Sequence, residues 1–430
     1  MKNRIKMTAV LLCCVLLLTG CRSQKPKVVT VDNTSQTALA FFSPIARGNE
    51  KVQSNSLDAF ETAIQEFSNE NPDVRLEYKS YTQNDYQDKS YDQVVLERVR
   101  GHMGDDVVIM NPDVVQALYP EGYLYDMKEL DAAGAMTDAA RQQCTIDGHV
   151  VSVPMTMITY GLYVNVDLLK QYGLEIPDTK QDFLQCCEIL KKNGITPLAG
   201  NRWWLENFVL TQGFAGLYLE EGSQEKIEKL NSGETPISSY LRSGFEFLAE
   251  LMEKEYFDVE FASKAEAGDE RDMFLEGEVA FVIHYDGAVD EAVYGTHSFE
   301  MAVIGFPTDE YGQINLMNAS HRICINSESE QLDEAIRLAE TMCSKENITN
   351  MIQENGGFSP RTDVEVTKNP ILEQVYENVD SGHVIPGQNP DIQVEQWGNT
   401  CQMIQKLLAG AGVDEILQRY DALQQEASGN

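Results

Sequence analysis

Between residues 38 and 119 the chain alternates short apolar runs with amphipathic ones three times over, and this rhythm constrains its fold more than any single motif. Residues 38–42 read as a buried strand. In 56–67, Leu57, Phe60, Ile64 and Phe67 share one helical face, with Asn55 or Ser56 as cap and Asn71-Pro72 as the stop. Residues 74–78 give a second strand, 91–100 a helix, 107–110 a buried strand, and 113–119 a helix opening after Asn111-Pro112. Strands separated by crossover helices pair in parallel, so the expected class is α/β, a mainly parallel sheet flanked by helices.

Farther along, 150–153 and 161–165 are β-like, with Pro154 expected to interrupt them. Thr179 caps a helix that runs to about Lys192 and ends at Asn193-Gly194. Helical spacing marks 207–219, 239–254, 270–275, 331–343, 394–409 and 413–426; strands are expected at 279–284, 301–304 and 322–326. No internal repeat or low-complexity tract appears.

The N-terminus carries Lys2, Arg4 and Lys6, then a mostly apolar run from 7 to 18, then Leu18-Thr19-Gly20-Cys21. That run is shorter than the ~20 residues a membrane-spanning helix needs. Small residues before a cysteine resemble the lipobox of bacterial lipoproteins, which implies a signal peptide over 1–20 and a diacylglyceryl group on Cys21. Two acyl chains anchor stably where one does not. An ordinary cleaved signal with a chance cysteine is the alternative. The polar, aperiodic stretch 21–36 reads as a tether between lipid and folded body.

Loss of the signal leaves 30 basic residues against 68 acidic, a net charge near −38. Such a chain repels nucleic acid and anionic headgroups, so neither is an expected partner, and the membrane is met only through the anchor. Six cysteines remain beyond the anchor: Cys144, Cys186, Cys187, Cys324, Cys343 and Cys401. Their spacing fits no disulfide framework or zinc motif, and buried or free thiols are expected, with pairing left open. The six histidines are dispersed, and there is no H-E-x-x-H, nucleophile elbow, phosphate loop or EF-hand. Gly410-Ala411-Gly412 lacks the third glycine of a dinucleotide fingerprint. No catalytic residue, metal or cofactor is therefore assigned.

Several landmarks, in order, resemble the extracellular solute-binding proteins of ABC importers, the group that includes maltose- and oligosaccharide-binding proteins. Asp106-Val-Val-Ile-Met-Asn111-Pro-Asp113 resembles the family's "PDVV" strand, with Asp105 in place of the proline; Asp147-Gly-His-Val-Val-Ser-Val-Pro154 resembles "DGKxYxxP". Tyr163-Val-Asn165-Val-Asp167 through Pro177 resembles "YNKDLFKKxGLxxP". Phe274-Leu-Glu-Gly277 resembles "FxxGKAAM", and Gly356-Gly-Phe-Ser-Pro360 resembles "GGxP". The resemblance implies a two-lobed periplasmic-binding-protein-like fold of type II. Lobe 1 would be 37–152 plus about 309–345, and lobe 2 would be 157–303 plus 349–430, with hinge crossovers at 153–156, 304–308 and 346–348. It implies a monomeric lipoprotein on the outer face of the membrane that closes on a mono- or oligosaccharide and delivers it to permease subunits. A non-sugar solute, a ligand sensor and a surface glycan hydrolase are the other readings.

Sugars offer apolar C–H faces to aromatic rings and vicinal hydroxyls to carboxylates, amides and Arg. Such groups are expected on loops beyond strand ends: Phe42 and Ser43, Asn111 and Asp113, Trp203 and Trp204, Tyr285 and Asp286, Asn318, and Arg361. Phe42 is equally readable as core and Asn111-Pro112-Asp113 as a helix cap. Tyr285 and Asp286 stand where the family often has glycine and tryptophan. Trp397 reads as core, and Asn165 and Asp167 as ordering a strand-to-helix turn.

Overall fold

The computed structural model describes residues 36–45, 58–81, 86, 89–266, 268–290 and 297–429. The signal peptide, Cys21, nearly all of the tether and the expected cap at Asn55 or Ser56 lie outside the described residues.

Strands Thr37–Ser43, Val74–Ser80 and Val107–Met110 pair in parallel, Thr37 facing Val74 and Phe41 facing Val107. At the sheet's other end Thr196–Ala199 pairs in parallel with Val279–Tyr285. Between these two groups run two antiparallel strands, Val153–Asn165 and Gln313–Ile325, each of 13 residues. Each joins one group directly and reaches the other through its partner strand. Arg322–Ile325 pairs with Val107–Met110, and Tyr160–Val164 pairs with Phe281–Tyr285. The result is one mixed α/β sheet of ten strands.

The helices follow from their apolar spacing. In Asp58–Glu70, Phe60, Ala63, Ile64 and Phe67 fall three or four apart and are all buried. Each such ring or branched chain contributes roughly 1.5–3 kcal/mol by leaving water. Helix Lys180–Lys192 opens on a reciprocal capping box of Thr179 and Asp182. Helix Glu206–Tyr218 is buried almost all round, wedged between the sheet and helix Ser238–Glu253. Gly244 permits that approach, because a Cβ there would stand 2.2 Å from the Val209 carbonyl oxygen.

Two expectations are corrected. Pro154 does not break its strand. It pairs opposite Arg322 in a stretch whose other edge carries only the isolated Met157–Phe358 bridge, a setting that tolerates a missing N–H. The strand expected at 322–326 starts nine residues earlier, at Gln313. Within it His321 adopts φ +47°, in the left-handed region that a non-glycine residue seldom occupies. The six cysteines are free and buried. No helix among the described residues is long and apolar enough to cross a membrane.

Candidate functional site

Where the two sheet groups meet, aromatic rings gather. The Trp204 ring centroid lies 5.8 Å from Tyr160 and 5.3 Å from His284, and His284 lies 4.7 Å from Tyr285. The strand register sets this cluster by placing Tyr160 opposite Tyr285. Trp204 Nε1 donates to Glu270 Oε1 at 3.0 Å, which fixes its ring plane. Trp203 points elsewhere, 38% exposed, with the Arg202 guanidinium 5.2 Å from its ring.

Buried carboxyls line the same seam. Asp286 is 1% exposed; its Oδ1 accepts the N–H groups of Thr159 at 3.2 Å and Gly287 at 2.9 Å. Burial pushes its pKa up to about 7 despite those bonds. Glu206 is 3% exposed. Its Oε1 accepts Trp397 Nε1 at 3.2 Å and Asn207 Nδ2 at 2.9 Å, while Oε2 has no hydrogen-bond partner. Burial lifts this group to about 8. Asp113 is raised to about 7, first by burial and then by the negative charges of Glu395 and Asp92, with Arg322 opposing. Glu395 is itself raised by burial, although it accepts the Asn399 N–H at 2.6 Å at the start of helix Trp397–Leu408.

The helix Pro112–Leu118 is held against the segment carrying Glu395, because Gln116 Nε2 donates to the carbonyl oxygens of Ile392 at 2.6 Å and Pro390 at 3.4 Å. Near this contact opens a hollow of about 650 Å³ with Arg141, Asp147, Gln224 and Asp391 on its walls. A smaller cavity of about 70 Å³ lies between Thr156, Tyr285, Asp286, His321 and Gly357. Burial holds both His284, at about 3, and His321 below the ordinary histidine range, so both rings are neutral at pH 7.

Of the residues singled out from sequence, Asp113, Trp204, Tyr285 and Asp286 come together along this seam, and Trp203 flanks it. Asn111 is exposed and donates to Asp92 at 2.8 Å; its side chain makes no cap bond. Phe42 and Ser43 are fully buried: Phe42 stacks on Tyr91 at 5.5 Å beneath the Arg98 guanidinium, and the Ser43 hydroxyl accepts the Ile45 N–H. Asn318 is occupied by the Gly387 N–H at 2.9 Å. Arg361, 5% exposed, is spent on Asp131, Asp363 and the Cys343 carbonyl oxygen. Trp397, expected in the core, is 39% exposed at its helix's first turn. Asn165 orders its turn as expected, accepting the Leu168 N–H at 2.9 Å. Sequence reasoning missed Tyr160, Glu206, Glu395 and Trp397; in a chain with 68 acidic residues, two more glutamates carry no signal.

The family model described as bacterial extracellular solute-binding protein matches residues 62–374. The multiple sugar-binding protein of Streptococcus mutans is 27% identical over 168 residues, 36% of this chain and 36% of that protein. The chain thus spans little more than a third of the length of the curated relatives it matches. Among solved structures, a binding protein MsmE from Bacillus subtilis in an open conformation superposes with TM-score 0.72 at 17% identity, covering 91% of this chain and 98% of that one. A sugar transporter protein of Bacillus licheniformis in complex with stachyose gives 0.67 at 17%, covering 91% and 100%. At that identity the likeness shows the fold, the two-lobed architecture of these proteins. Most of its length being matched by the family model, this chain belongs to the family of bacterial extracellular solute-binding proteins.

Proposed function

We propose that this protein captures a mono- or oligosaccharide in the seam between the two sheet groups and delivers it to membrane permease subunits, held at the outer face by a diacylated Cys21. The observation that carries the reading is the band of rings and carboxyls running from Asp113 through Glu395, Trp397 and Glu206 to Tyr160, Trp204 and Asp286. Rings suit the C–H face of a pyranose and planar carboxylates suit its paired hydroxyls. The names of the sugar-binding relatives support the same class. In this reading lobe 1 holds 37–152 and 317–345, and lobe 2 holds 160–316 and 373–430. Ile314 and Leu316 lie in one buried cluster with Leu162, Phe281 and Ile385, and Ile323 and Ile325 lie in another with Phe41 and Ile109 that also takes in Tyr163, Val282 and Val303. The hinge then falls at 153–159 and 317–321. A solute drives closure only through contacts it makes better in the closed form.

A thermal-shift screen against sugars, polyols, amino acids and polyamines tests this. A sugar at a hundred times its Kd adds ~2.7 kcal/mol of stability, and scattering should contract with the same compound. A panel in which only amino acids or polyamines stabilise the protein would refute the sugar reading.

A further inference from the structure

Helix Pro112–Leu118 roots its Val114, Val115 and Leu118 in one apolar cluster, while Ile392 is wholly buried in another. Gln116 joins the two sides through its bonds to the Ile392 and Pro390 carbonyl oxygens at 2.6 and 3.4 Å. Asp113, three residues earlier on the same helix face, lies in electrostatic reach of Glu395. Among the described residues, the two bonds of Gln116 are the side-chain hydrogen bonds that tie 37–152 directly to 160–316 or 373–430. The receiving side is rigid. Asn231 donates to the Asp391 carbonyl oxygen at 2.6 Å and accepts the Gln393 N–H at 3.0 Å. The buried Gln396 accepts the Asn389 N–H at 2.7 Å and donates to the Asn389 and Val394 carbonyl oxygens. Two fixed acceptors side by side call for a donor, which the Gln116 amide supplies. The hollow of about 650 Å³ reaches Asp391, between those acceptors, with Lys128, Arg141 and Asp147 on its other wall. Polar bonds flanked by open space, rather than a packed apolar face, join the sides here, and such a joint can part without dismantling either cluster.

We infer that Gln116 is a latch: its amide holds the seam shut on the 390–392 segment without touching the solute, and so sets the closed fraction and the rate of solute release. The inference rests on the two-lobed reading above and adds to it a positioning residue remote from the ring cluster. Apparent affinity scales with the fraction of protein in the binding-competent form, so a lost latch weakens every solute by one common factor. A single neutral hydrogen bond favours closure by about threefold to tenfold.

Small-angle scattering of the ligand-free protein, Gln116→Ala and Gln116→Glu at pH 8 tests the latch with no solute present, with far-UV circular dichroism to check that all three are folded alike. Gln116→Ala should scatter as a larger particle than the parent. Gln116→Glu should be larger still, because it sets a carboxylate against two carbonyl oxygens and Glu395. Stopped-flow release of maltose, cellobiose and raffinose then reads the consequence: Gln116→Ala should speed the release of each sugar that binds by about threefold to tenfold, leaving their order of affinity unchanged. Profiles identical across the three proteins overturn the latch and leave sugar capture standing. A changed order of affinity also overturns it, because Gln116 would then touch the solute. An intact scattering series with none of the sugars bound supports the latch and counts against the sugar reading.

Discussion

Glu206→Gln provides a test of the buried carboxyl that needs no ligand. In the folded protein burial raises this group to about 8. In the unfolded chain it titrates near 4.3, as an ordinary glutamate does. Between those values the native state holds a proton that the unfolded chain has released, so stability falls as pH rises through the window and levels off above pH 8. From pH 5.5 to pH 8 the loss attached to this one residue integrates to about 3 kcal/mol. Gln has no such titration and keeps the Oε1 acceptor that Trp397 and Asn207 use. Asp113 and Asp286, each raised to about 7, add slopes of the same sign to parent and variant alike, and these cancel in the difference. Urea unfolding of the ligand-free parent and variant at pH 5.5, 7 and 8 should show the variant's advantage growing by about 3 kcal/mol across the series. An advantage that stays constant with pH would refute the argument that Glu206 is buried and uncompensated.

Trp397→Ala should weaken the best sugar ligand by about tenfold in titration, and, because it takes the indole N–H from the buried Glu206 Oε1, should cost the ligand-free protein roughly 1–3 kcal/mol in urea unfolding. Arg361→Ala should cost roughly 2–4 kcal/mol in urea unfolding, having removed a buried guanidinium that joins Asp131, Asp363 and the Cys343 carbonyl, and should leave the sugar Kd alone. The six thiols should resist a thiol reagent in the native protein and all react in denaturant; burial lifts Cys186 to about 11 and raises the other five as well. Rapid native labelling of Cys187 or Cys324 would contradict their burial.

Local rules sufficed for most elements. Helices such as 180–192, with Thr179 and Asp182 three apart, and the buried run 107–110 announce themselves through short-range spacing. The long strand 313–325 did not, because Gln313, Asn315 and Asn318 interrupt its apolar pattern. Their amides bond at long range, Gln313 to the Pro177 carbonyl, Asn315 to the Tyr160 carbonyl and Asn318 to the Gly387 N–H. The site was only half legible for the same reason. Tyr285 and Asp286 follow a recognisable strand and Trp204 stands in a loop between elements, but Glu206 and Trp397 meet across 191 positions of chain, and nothing near either one advertises the partner. Phe42 misled in the other direction: an aromatic at a strand terminus looks available until Tyr91 and Arg98 cover it.

The paired strands 153–165 and 313–325 also bear on how the molecule comes apart. A two-part protein strung on a slack linker melts in two steps and offers proteases a soft place to cut. Here each half borrows its innermost strands from the same continuous ribbon, so unravelling one half strips backbone partners from the other. The protein should therefore lose its structure in a single cooperative step, flexing like a leaf spring while folded and presenting no severable neck.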